Sequence, residues 1–212
     1  MKKIILAFTL CILAVSSFAQ SSKFQQTMQT NLVRFDSLKT PDDYISLAAS
    51  FERIADAEKT QWLPYYYAAL SHILRGFSDT KANKDEVAEK ADALIAKAEV
   101  IEPKNAEIFL LKSMTSTLHM LVDPSTRWQQ YGASVNSNRE TAKQLDPNNP
   151  RVYFLEGQNV FGTPKEFGGG KDKAKPLFEK SLELFKTYKT AGSLYPNWGE
   201  KSTGQMLEQT KS

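Results

Sequence analysis

Cysteine is nearly absent from this chain: the only one, Cys11, lies within the first 19 residues. With no second thiol there is no disulfide framework, so stability has to come from packing alone. Histidine is almost as scarce. His72 and His119 have no Cys, His or close carboxylate at metal-ligand spacing, and a packed or half-exposed imidazole is the expected role for each. No Gly-x-Ser-x-Gly turn occurs, which removes the commonest serine nucleophile. Gly168-Gly169-Gly170-Lys171 does not make a phosphate loop: Lys165 stands where the leading glycine belongs, Asp172 replaces the hydroxyl residue, and no strand precedes it. A flexible turn between helices is expected there. The paired acids Asp42 and Asp43 sit at a helix start, where capping accounts for them. No enzyme, cofactor or metal is therefore expected.

Charge of one sign is lacking too. The 212 residues carry 27 Lys and Arg against 24 Asp and Glu, a net +3. Lys2 and Lys3 precede an apolar run from 4 to 15 and a small-x-small site at Ser17-Phe18-Ala19, so residues 1–19 read as a cleavable secretory signal peptide. That run falls short of the roughly 20 apolar residues of a membrane span. Its loss takes two lysines and the cysteine, leaving 27 − 2 = 25 basic against 24 acidic residues, or +1, in a chain beginning at Gln20. A near-neutral surface offers no long-range attraction to nucleic acid or acidic membranes. The expected address is outside the bacterial cytoplasm, periplasmic or secreted, with no membrane span after cleavage.

Helical periodicity and a repeat are what the chain does have. Phe24, Met28, Leu32 and Phe35 mark a first helix, Pro41 opens a second, and 62–74 is apolar nearly all round, as for a helix contacted on several sides. Aromatic-to-small pairs recur in steps of 44 residues: Tyr65 and Ala69, Phe109 and Ser113, Tyr153 and Gly157. Each pair places a bulky knob beside a notch on one helix face. The second helices repeat as well, with Ala91, Ile95, Ala98 and Pro103 matched by Val135, Arg139, Ala142 and Pro147. Glu-Pro-Lys-Asn at 102–105 likewise becomes Asp-Pro-Asn-Asn at 146–149. Trp128, Tyr131, Val135, Ala142 and Leu145 form the expected buried stripe of the helix after Asp123-Pro124.

These repeats resemble the tetratricopeptide repeat, although the 44-residue step exceeds the usual 34 or so and Arg139 stands at a position normally apolar. The resemblance covers about 24 to 187 and implies an all-α helix-hairpin solenoid. Its pairs fall at about 23–59, 62–103, 106–147 and 150–187, three and a half in all, with a capping helix at about 196–210 in a domain spanning 20–212. Pro176 would lie near the start of the last paired helix, and Trp198 would sit on the last repeat. In tetratricopeptide proteins the first helices line a concave face and reach a ligand through their second, fifth and ninth positions. Carried over by the 44-residue register, these are Leu63, Glu107 and Arg151; Tyr66, Leu110 and Phe154; and Leu70, Met114 and Gln158. The implied groove is apolar and aromatic with one acid and one base. Members that clamp a peptide carboxylate carry Lys and Asn where this chain has Tyr66 and Leu70, so that mode is not expected. Two functions remain open: a non-catalytic scaffold binding a protein or peptide segment in an open groove, and an accessory of an uptake system that holds a small apolar ligand.

Overall fold

The computed structural model describes residues 22–35 and 37–211, and in these every regular element is helical. The expected signal peptide lies outside the described residues. Helix α1 spans 22–35. It is followed by α2 (Pro41–Ala57), α3 (Trp62–Ser78), α4 (Lys84–Ile101), α5 (Ala106–Met120), α6 (Pro124–Leu145), α7 (Pro150–Gly162), a 3-10 turn (Lys165–Phe167), α8 (Lys171–Phe185) and α9 (Glu200–Gln209). Each helix from α2 to α8 packs on the next, and α3, α5 and α7 also touch in series, so hairpins α3–α4, α5–α6 and α7–α8 stack through their first helices. No described helix is long and apolar enough to cross a membrane.

The repeated turn motif explains where the helices start. Asn105 and Asn149, the last residues of the two Pro-containing tetrads, cap α5 and α7: their side chains accept from the backbone N–H groups of Glu107 and Arg151. Thr40 and Asp43 form a reciprocal capping box ahead of α2, and the backbone donors on Asp43 hold its carboxyl below the usual range. The notches work as the pattern predicts. A Cβ on Gly157 would stand 2.5 Å from the Phe178 ring, so α7 and α8 meet only because glycine is there. In the preceding hairpin Ser113 fills the same role and donates from its hydroxyl to the Val135 carbonyl at 3.0 Å.

Helix α3 is the centre. From Trp62 to Ser71 every residue is buried, with Tyr66, Leu70 and Ile73 fully so. Three expectations give way. Trp128 is 58 % exposed and Leu145 39 % exposed, because α6 lies at the periphery and buries only Val135 and Ala142. Helix α8 begins before Asp172, leaving Pro176 inside it on the solvent side, where the carbonyl deprived of its N–H can face water. The glycine turn is pinned rather than flexible. Gly170 N–H donates to the Val160 carbonyl at 2.8 Å, Gly169 N–H donates to that of Pro164 at 3.1 Å, and a side chain at Gly169 would collide with the Thr163 backbone.

Candidate functional site

The expected groove is not open. Leu63, Tyr66, Leu70, Glu107, Leu110, Met114, Arg151 and Phe154 are all buried, and Gln158 alone of the nine is exposed. The cover is the chain's own C-terminal segment. Between α8 and α9 it runs without regular structure across the first helices: Tyr67 donates to the Leu194 carbonyl at 2.9 Å, the Trp198 indole N–H donates to the Tyr66 hydroxyl at 2.8 Å, and Tyr195 meets Trp62 edge-on. Trp198 rests on the last repeat at Phe154, as its position implies, and reaches across the stack to Tyr66. An apolar face cannot be left to water, and this segment carries the aromatics that cover it.

Beneath the strap lies a charged network. Arg151 Nε and Nη2 donate to the Glu107 carboxylate at 2.6 to 3.0 Å, Asn149 donates to the same carboxylate, and the Tyr66 hydroxyl donates to its other oxygen at 3.0 Å. Burial opposes the charge on Arg151, but Glu107 outweighs it and the guanidinium is held more firmly protonated than usual. Burial, reinforced by Glu107, pushes the Tyr66 phenol well up, so it stays a donor. The Arg151 guanidinium also lies 5.4 Å from the Tyr188 ring centre and 5.7 Å from that of Trp198. Glu107 and Arg151 hold the same position in successive repeats, and each is the other's partner.

Beside this network a cleft of about 760 Å³ opens between three segments. These are the α4–α5 turn, the α6–α7 turn and the strap from the end of α8 to Pro196. Glu107 and Arg151 line its inner wall; Leu145, Leu184, Tyr188 and Tyr195 supply apolar and aromatic surface. The Tyr188 hydroxyl donates to Asp146 at 2.8 Å, and burial together with that bond raises the phenol's pKa. The volume falls within the range of small-molecule sites, roughly 300–1,000 Å³, and exceeds the clefts of about 480 Å³ between α1 and α2 and about 340 Å³ beside His119. Of the nine expected groove residues the structure brings Glu107 and Arg151 to this cleft and places the other seven elsewhere. Tyr188, Tyr195 and Trp198 were missed, and the signal for them was three aromatics within an otherwise polar, non-periodic stretch.

The histidines sit apart from the cleft. His72 pairs with Glu52 at 2.7 Å, and Glu52 also takes Lys90 at 3.0 Å, tying α2, α3 and α4 together. Burial lowers the His72 pKa despite that carboxylate. His119 bonds Asp85 at 2.7 Å, and Asp85 also receives Arg127 at 2.8 and 2.9 Å. Both carboxylates come from other helices, which is why sequence spacing gave no sign of them. Among the described residues no group of three or more His, Cys, Asp or Glu is placed to hold a metal ion.

No family model and no curated protein matches this chain. Among solved structures it is similar to the HusA haemophore from Porphyromonas gingivalis, with 37% sequence identity, a TM-score of 0.80, and coverage of 89% of this chain and 92% of that one. The chain belongs to the HusA family. In this chain the helix hairpins stack through their first helices beneath the strap, and the likeness to tetratricopeptide repeats is one of helix pairing. HusA is a haemophore, a protein that binds rather than transforms its ligand.

Proposed function

We propose that this protein is an exported, non-catalytic carrier of a tetrapyrrole, holding haem or a related macrocycle in the cleft between the two Pro-containing turns and the C-terminal strap. The observation that carries this reading is the match to a haemophore over nearly the whole of both chains. Of the two functions left open by the sequence, it favours the small apolar ligand. The trough that would have taken a peptide is crossed by residues 194–198, whereas the 760 Å³ cleft remains. Among the described residues no His, Cys or Met lines that cleft, and the Tyr188 hydroxyl is already donated to Asp146. Contact with ring faces and edges is therefore the grip this reading relies on, from Leu145, Leu184, Tyr188 and Tyr195. Export follows from the reading of residues 1–19 together with the haemophore likeness.

The test is a titration of iron protoporphyrin into the purified protein, followed by the Soret band. Ala191→Trp, which fills the cleft, and Leu145→Glu, which charges its apolar wall, should each weaken binding at least about tenfold, equivalent to about 1.4 kcal/mol. Both side chains are exposed, so the far-UV spectrum should not change. No Soret change with wild type would end the carrier reading; wild-type binding by both variants would move the site elsewhere.

A further inference from the structure

The cleft's formal charges balance in number but not in contact. Three acids and three bases line it: Glu102, Glu107 and Asp146 against Lys104, Arg151 and Lys189. Glu107 and Arg151 neutralise each other. Asp146 accepts the Tyr188 hydroxyl and the Asn148 backbone N–H. Among the described residues, Lys104 and Lys189 have neither a hydrogen bond nor a counter-ion, and both are exposed. Lys104 comes from the α4–α5 turn and Lys189 from the strap, so the two ammonium groups are brought to the same cleft by segments far apart in sequence. The first turns of α5 and α7, the positive ends of those helices, line the cleft as well.

We infer that Lys104 and Lys189 are the specificity-determining pair for carboxylates on the ligand's edge. This rests on the tetrapyrrole reading above and narrows it: the cleft selects a flat, apolar ring bearing two free acids over the same ring with its acids masked. The apolar part of the ligand lies against Leu145, Leu184 and the two tyrosines, and its acid edge faces the lysines. A dianion entering beside Glu102 and Asp146 is repelled unless cations offset them, and these two lysines are the cations left to do so. Lysine suits the task, being a compact charge on a flexible stem that follows a carboxylate without demanding one geometry.

The experiment compares iron protoporphyrin with its dimethyl ester, in the same dilute detergent and at low and high salt. Wild type should bind the free acid about tenfold more tightly than the ester, the scale of two partly screened ion pairs. That preference should shrink as salt rises. Lys104→Ala/Lys189→Ala should bind the free acid no better than the ester, while Lys173→Ala/Lys201→Ala, two exposed lysines outside the cleft, should retain the preference. Equal binding of both ligands by wild type, or a preference surviving in the Lys104/Lys189 variant, would overturn the inference and leave the carrier reading standing. Binding of neither ligand by wild type would remove the carrier reading, and the inference with it.

Discussion

Arg151 is among the largest fully buried side chains, and it is charged. Such a residue stays inside only with its charge answered, here by Glu107, with Tyr66 and Asn149 using the remaining capacity of that carboxylate. Arg151→Met should therefore cost about 3–5 kcal/mol in urea unfolding, because Glu107 would be left charged and without its cation. Glu107→Leu/Arg151→Met should recover most of that loss, since two apolar side chains leave no unanswered charge. A double variant no more stable than the single one would show that the pair contributes more than mutual neutralisation. The repeat register places both residues at equivalent positions in successive first helices, and so on one surface. That they face each other rather than a ligand depends on what covers that surface, which neighbouring residues do not reveal.

Helices were the most readable part of the chain, because their signals are local. Period, caps and notch residues all act within a few residues, and Asn105, Asn149 and Gly157 do in the structure what their spacing implies. Gly157→Ala tests the α7–α8 contact. Forcing a Cβ against the fully buried Phe178 should cost about 1–2 kcal/mol, overpacking outweighing the better helix propensity of alanine. The melting temperature should fall by several degrees. An unchanged melt would mean that α7 and α8 slide apart freely. Trp128 shows the limit of this kind of reading. It lies on the stripe that periodicity marks for burial, yet among the described residues none covers its ring, and whether one does is decided by the packing of other helices.

Across the whole molecule, the least legible feature is the strap. Its bonds join residues more than a hundred positions apart, Tyr67 with Leu194 and Tyr66 with Trp198, and no periodicity announces them. Trp198→Ala should remove the edge contact with Phe154 and the bond to Tyr66, at a cost of about 2–3 kcal/mol, less than for a fully buried indole. Backbone amides of α3 and α7 beneath it should then exchange faster with deuterium, while those of α2 change little. Uniform acceleration along the chain would mean that the strap is part of one cooperative unit rather than a cover.

The order of the chain adds a constraint in time. Two walls of the cleft come from residues 102–107 and 145–151, but the third comes from 184–196. A polypeptide made from its N-terminus has its helix hairpins in hand well before that last wall exists. A nascent or truncated chain thus has the stack without the third wall, and on the carrier reading proposed above a ligand is held only once synthesis has passed Pro196.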